Sequence, residues 1–180
     1  DWASLVVQHG ITIWNSVPAL LELLVDRAGG RTDAVGSSLR LAILSGDWIP
    51  VALPELARDL VEGLQVVSLG GATEASIWSI VYPVGSVERN WSSIPYGRPL
   101  RNQQMHVLND ALEPCPVWVP GHLFIGGIGL ARGYWRDLAR TDAQFFVHPR
   151  SGERLYRTGD LGRYLPDGNI EFLGREDDQV

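Results

Sequence analysis

The sequence contains a single cysteine, Cys115, so no intramolecular disulfide framework can form. That suits a reducing compartment, and a cytoplasmic location is expected. Its four histidines, His9, His106, His122 and His148, stand far apart without metal-ligand spacing, so no structural zinc is expected. No apolar run approaches the ~20 residues of a membrane span. Basic runs are also missing. Fifteen basic residues are scattered among 21 acidic ones, for a net charge of -6 and a pI of about 5.1. This excludes the basic surface that a nucleic-acid binder needs. There is no internal repeat and no low-complexity segment. No initiating Met or signal peptide opens the chain, and Asp177-Asp178-Gln179-Val180 carry no capping signal. Both ends are expected to be internal to a longer polypeptide.

What is present fits a soluble globular protein of one domain or two small subdomains: 180 residues, 45% hydrophobic and 20% charged. The first half alternates strands and helices. Ile11 to Trp14 reads as a short strand. Ser16 is a candidate cap for a helix with Pro18 in its first turn and Leu20, Leu21, Leu24 and Val25 at helical spacing, stopped by Gly29-Gly30. Leu39 to Leu44 reads as a buried strand. A helix over about 54–62 places Leu53, Leu56, Ala57, Leu60, Val61 and Leu64 on one stripe. Val66 to Leu69 is the next strand, followed by Gly70-Gly71 and a helical turn at Ala75 to Trp78. This order predicts an α/β fold, part of a mostly parallel sheet flanked by helices, with ligands outside the carboxyl ends of its strands.

From about Tyr96 the text changes to strands and turns, as expected of a small β-barrel-like subdomain. Gln104 to Leu108 and His122 to Ile125 read as strands. Arg163 to Leu165 and Ile170 to Leu173 flank Pro166-Asp167-Gly168-Asn169, a hairpin signal. Only Asp137 to about Phe146 reads as helix. The expected division is 1–95, the C-terminal part of an α/β core subdomain; 96–176, the small β subdomain; and 177–180, the start of a hinge.

Four segments carry candidate chemistry, each with a bland alternative. In Leu69-Gly70-Gly71-Ala72-Thr73-Glu74, glycines permit close approach to a phosphate, their N–H groups can cradle it, a threonine hydroxyl can donate to it, and a glutamate can hold Mg²⁺. The alternative is a tight strand-to-helix turn with Thr73 as its N-cap. In Tyr156-Arg157-Thr158-Gly159-Asp160, the aspartate could accept both hydroxyls of a ribose or close an Asx-type turn. In Gly174-Arg175-Glu176-Asp177, the arginine could reach a phosphate or form a surface salt bridge with Glu176 or Asp177. The glycines of Gly126 to Trp135 are read as structural.

Taken together, 121–135 (Gly-His-Leu-Phe-Ile-Gly-Gly-Ile-Gly-Leu-Ala-Arg-Gly-Tyr-Trp), 155–161 (Leu-Tyr-Arg-Thr-Gly-Asp-Leu) and 174–180 (Gly-Arg-Glu-Asp-Asp-Gln-Val) resemble consecutive core motifs of nonribosomal peptide synthetase adenylation domains. Gly70 to Glu74 resembles the preceding motif, usually Tyr-Gly-Pro-Thr-Glu. Here Gly70 replaces the aromatic and Ala72 the proline, which removes one possible adenine contact.

The resemblance covers essentially the whole chain and implies an ATP-dependent adenylate-forming ligase. It implies that Thr73 and Glu74 contact ATP phosphates and Mg²⁺, with Gly70, Gly71 and Ala72 beside the nucleotide. It implies that Ser45, Gly46 and Asp47 lie along adenine and that Asp160 holds the ribose. Phe172 would stack on adenine, Arg175 contact ribose or α-phosphate, and Asp177 serve as the hinge to a C-terminal subdomain. Ser45, Leu69, Ile77 and Trp78, with Asn15 or Ala19, would line a pocket for a small amino acid such as cysteine, or serine or threonine.

The implied partners are the amino acid, a peptidyl carrier protein bearing phosphopantetheine and the remainder of the domain. Some relatives carry a tailoring domain inserted after the hinge region, so the resemblance allows either such a further partner or a chain simply trimmed at the hinge. The phosphate loop, the aspartate for the substrate amino group and the catalytic lysine are expected outside these residues, so the segment alone is expected to be inactive. Rival readings are an acyl- or aryl-CoA ligase of the same superfamily and a non-catalytic adenylation-fold scaffold. Cys115 is expected to be a loop thiol, the histidines to be surface or core-edge residues, and most of the seven tryptophans to pack in the core or at seams.

Overall fold

A computed structural model describes residues 2–31, 35, 38–88 and 91–176. Contacts divide the chain into two compact units, one of residues 1–69 and 82–94, the other of residues 70–81 and 95–180. Each has its own apolar core.

In the first unit, β1 (Ile13–Ser16), β2 (Leu41–Leu44) and β3 (Gln65–Gly70, whose last residue belongs to the second unit) run parallel, with Ile13 beside Leu41 and Leu41 beside Gln65. Helices α1 (Trp2–His9), α2 (Pro18–Ala28) and α3 (Leu53–Leu60) accompany them. The periodicity of α2 and α3 explains what they bury: Leu21, Leu24 and Ala28 from one, Leu53, Ala57 and Leu60 from the other. Leu56 departs from the expected stripe and is exposed. Arg58 anchors the end of α3 by donating to Val84 O and Gly85 O.

Two local expectations are corrected. The strand at 11–14 begins two residues later, and a helix, α1, precedes it. Ser16 belongs to β1, and its hydroxyl donates to Val17 O. Val17 is the N-cap of α2, without a side-chain cap bond, and Pro18 alone marks the start. Gly29 ends α2 in the left-handed conformation at φ 56°, as the double glycine predicts.

In the second unit, β5 (Arg98–Pro99) pairs antiparallel with the first residues of β4 (Ile80–Val84). The main sheet is antiparallel in the order β10-β9-β7-β6, from β6 (Gln103–Leu108), β7 (Gly121–Gly127), β9 (Arg154–Tyr164) and β10 (Ile170–Arg175). Strand β8 (Phe145–Val147) also pairs with β9. The hairpin at 166–169 forms as expected, closed by Leu165 N–H to Asn169 O at 2.8 Å. Helix α4 (Leu138–Gln144) is capped by Asp137, whose carboxylate accepts from Arg140 N at 2.9 Å. The α/β part followed by a small β part agrees with the expected fold class.

Cys115 lies in the loop between β6 and β7, as expected, with its side chain in the second core, and burial pushes its thiol up. Trp14 and Trp91 pack against the first core, but Trp2, Trp48, Trp118 and Trp135 are exposed. No described helix is long and apolar enough to cross a membrane.

Candidate functional site

The turn after β3 is not the expected strand-to-helix junction. Thr73–Ala75 form a single 3₁₀ turn, and its N-cap is Ala72, not Thr73. The helical turn expected at 75–78 is replaced by Ser76 and Ile77 at φ 62° and 70°. For β-branched Ile77 this left-handed geometry costs roughly 1–2 kcal/mol. Bonds from Ile77 N to Ala72 O (3.0 Å) and Trp78 N to Ser76 O (2.8 Å) hold it. Such strain concentrates at functional sites. Ile77 is exposed, whereas the Trp78 indole nitrogen is buried with no hydrogen-bond partner among the described residues.

Glu74 is oriented by the segment read from sequence as merely structural. Tyr134 Oη donates to Glu74 Oε1 at 2.6 Å, and Ala131 N donates to Glu74 O at 2.7 Å. Ser76 Oγ donates to Gly129 O at 2.8 Å. Tyr134 is itself fixed. Its N–H donates to Thr141 Oγ1 at 2.9 Å, and the Arg140 guanidinium lies 4.1 Å from its ring centroid. Burial raises the Glu74 carboxyl, but hydrogen bonds from Tyr134, from its own backbone and from Tyr156 outweigh this and hold it below its ordinary 4.5. It is therefore an anionic oxygen donor at neutral pH. No group of three or more metal-ligating side chains occurs among the described residues. A single fixed carboxylate fits Mg²⁺, which keeps several waters and takes further oxygens from phosphates, better than it fits an all-protein cage.

The glycines have different tasks. Gly71 has φ 143°, and a Cβ there would meet Ile77 O at 2.6 Å and Ser79 N at 2.7 Å. Its N–H donates to Tyr96 Oη at 3.0 Å, so it is not among the groups available to cradle a phosphate. A Cβ on Gly70 would lie 1.7 Å from Tyr96 Cε2.

Asp160 and Arg175 face each other on β9 and β10, with Arg175 Nη1 3.4 Å from Asp160 Oδ1. Asp160 lies within β9, not in an Asx turn, and Arg175 pairs with it across the hairpin. A bulge makes this register. Phe172 opposes Gly162 and Gly174 opposes Leu161, leaving Leu173 as the extra residue. Were Leu173 paired in a regular ladder, Gly174 would face Asp160. With the bulge, Phe172 and Arg175 come to the same face despite their three-residue spacing. Gly174 has φ 118°, which suits glycine. The Phe172 ring centroid is 5.5 Å from that of Tyr96.

Thus Thr73, Glu74, Asp160, Phe172 and Arg175 all lie in the second unit. In the first unit, Ser45 follows β2 and donates its N–H to Ser16 O at 3.2 Å. Gly46 has φ 87°, and Asp47 Oδ1 accepts from Trp48 N at 2.7 Å. Asn15 lies on β1 and Ala19 in the first turn of α2, both exposed, while Leu69 is buried in β3. Asp177 lies outside the described residues. Sequence reasoning missed Tyr96, Tyr134 and Tyr156. The last two lie inside the quoted motifs. For Tyr96 the only signal is the missing side chain at Gly70.

The family model "AMP-binding enzyme" matches residues 1–135. Pyochelin synthetase PchF of Pseudomonas aeruginosa is 51% identical over 179 residues, covering 99% of this chain and 10% of the relative. Bacitracin synthase 1 of Bacillus licheniformis is 50% identical, covering 94% of this chain and 3% of the relative. The crystal structure of the nonribosomal peptide synthetase FmoA3 in its alpha-methyl-L-serine-AMP bound form superposes with a TM-score of 0.93 at 50% identity. It covers 99% of this chain and 20% of FmoA3. The chain thus spans a fifth or less of the length of these relatives. It belongs to the AMP-binding family of adenylate-forming enzymes and corresponds to a segment of a nonribosomal peptide synthetase adenylation domain.

Proposed function

We propose that the chain forms the nucleotide-facing part of a domain that activates a small amino acid and loads it onto a carrier protein, in the cytoplasm. The amino-acid carboxylate attacks the α-phosphorus of ATP and pyrophosphate leaves, giving an aminoacyl-adenylate. The phosphopantetheine thiol of a peptidyl carrier protein then displaces AMP to form a thioester. The observation that carries this reading is the bulged hairpin. It brings an aromatic ring, Phe172, to the same face as the Asp160–Arg175 pair, the set needed for base, ribose and phosphate.

In this reading Asp160 accepts both ribose hydroxyls, Arg175 faces ribose or α-phosphate, and Thr73 donates to a phosphate oxygen. Glu74 holds Mg²⁺, which would neutralise phosphate charge. Residues 45–47 lie along adenine. Residues 1–95 act as the end of the α/β core subdomain, 96–176 as the small β subdomain and Asp177 as the hinge. The sequence contains no lysine, so the catalytic lysine must come from elsewhere and the isolated chain should not adenylate.

For the substrate, Ser45, Leu69, Ile77 and Trp78, with Asn15 or Ala19, favour a small side chain, and cysteine is the reading adopted. The alpha-methyl-L-serine-AMP bound to FmoA3 favours a serine-like substrate as the second reading. The test is amino-acid-dependent ATP–pyrophosphate exchange by the full-length protein across twenty amino acids. Cysteine should lead and Asp160→Ala should abolish exchange. A preference for a large aromatic would remove the pocket argument, and exchange by the isolated chain would overturn the partial-site reading.

A further inference from the structure

The Tyr96 ring occupies the space that any side chain at position 70 would need. A Cβ there would stand 1.7 Å from Cε2, 2.2 Å from Cζ and 2.5 Å from the hydroxyl. Tyr96 is held in this place from three sides. Its N–H donates to Ile170 O at 2.8 Å, and the next residue, Gly97, exchanges bonds with Ile170 at 3.1 and 2.7 Å, which straps it to the start of β10. Its hydroxyl accepts from Gly71 N at 3.0 Å. Its ring lies at 48° to that of Phe172, 5.5 Å away. Both rings are only partly buried, and they form an aromatic corner whose Tyr96 ring adjoins Gly70 and Gly71. Burial, then the nearby Asp160 carboxylate, push the Tyr96 phenol far above its ordinary range, so the ring stays neutral and its hydroxyl stays protonated.

A corner of two aromatic rings within the unit that carries Asp160 and Arg175 suits a flat heteroaromatic base, which gains from stacking whatever its hydrogen-bond pattern. We propose that Tyr96 is a nucleobase-contacting residue: it presents from the strap before β5 the aromatic face that position 70 cannot present, and Gly70 lacks a side chain because the Tyr96 ring stands in its place. This rests on the nucleotide reading of the site. It makes positions 70 and 96 a coupled pair, in which a ring at either one excludes a side chain at the other.

The test is calorimetric titration of the full-length protein with AMP, alongside KM values for ATP and for the amino acid. Tyr96→Leu keeps apolar bulk but removes the π-face, and should weaken AMP roughly tenfold while leaving the amino-acid KM unchanged. Tyr96→Phe should stay within about threefold of the parent, since the ring remains. The decisive variant is Gly70→Tyr combined with Tyr96→Ala. It returns a ring to the vacated space from the other side and should recover most of the affinity lost in Tyr96→Ala alone. AMP binding undiminished in Tyr96→Leu overturns this inference and leaves the nucleotide reading standing, as does a double variant no tighter than Tyr96→Ala. A parent protein that binds no AMP overturns both.

Discussion

Replacing Tyr134 with phenylalanine removes one oxygen atom and leaves the ring, its stacking under Arg140 and its backbone bond to Thr141 in place. What is lost is the 2.6 Å hydroxyl-to-carboxylate bond that orients Glu74. A hydrogen bond to a charged group contributes about 1.5–3 kcal/mol. Glu74 is only half-buried, so water partly takes over, and Tyr156 still donates. We therefore expect a loss of about 1–2 kcal/mol. For a chain of this size that is a fall in Tm of about 2–8 °C.

The pH dependence identifies the cause. Glu74 titrates below its ordinary 4.5 in the folded state, so the unfolded chain binds the proton more readily. The stabilisation is complete above about pH 4.5 and is lost as pH falls through the folded value. Parent and Tyr134→Phe chains should thus differ fully at pH 7 and converge in acid. Thermal unfolding of both from pH 3 to 8 measures this. Equal Tm values at pH 7, or a difference that persists undiminished at pH 3, would refute the reasoning.

Two further outcomes follow from burial. His106 has its Nε2 buried without a hydrogen-bond partner among the described residues. At 3.7 Å from Glu153 the attraction is outweighed by burial, which holds the imidazole below its ordinary 6.5. The unfolded chain again binds the proton more readily, so stability should decline as pH falls below about 6.5, and His106→Gln should flatten that part of a Tm-versus-pH curve. Phe124 is fully buried, packs edge-on to Phe146 at 5.6 Å and lies beneath Arg157. Phe124→Ala should cost about 3–5 kcal/mol in urea unfolding, and a loss below 1 kcal/mol would show that the site collapses around the cavity.

Much of the β part was legible because its signals are local. The 166–169 turn sets the β9–β10 hairpin by residue type, and Asp137 caps α4 within one turn. Gly29 ends α2 for the same kind of reason. Helix α1 was missed because it buries only Ala3 and Val6, too few to mark a period. Ser16 looked like a cap, but pairing with Leu44 drew it into β1. At the site, Thr73, Glu74, Asp160, Phe172 and Arg175 could be chosen from motif order. The residues that orient them could not. Tyr134 lies 60 positions from Glu74, and Tyr96 lies 26 from Gly70, distances over which only the folded chain creates contact. A motif shows which groups are present, whereas orientation depends on tertiary packing.

The extra residue in β10 gives position 173 an unusual standing. It leaves the ladder, so that the two residues between Phe172 and Arg175 take up a single pairing position opposite Leu161. Pairing without the bulge would bring Gly174 opposite Asp160 and turn the guanidinium to the other face of the sheet, although every named functional residue would still be present. Register at this point therefore matters as much as chemistry, and a variant that retains all the motif letters but pairs without the bulge would have lost the site.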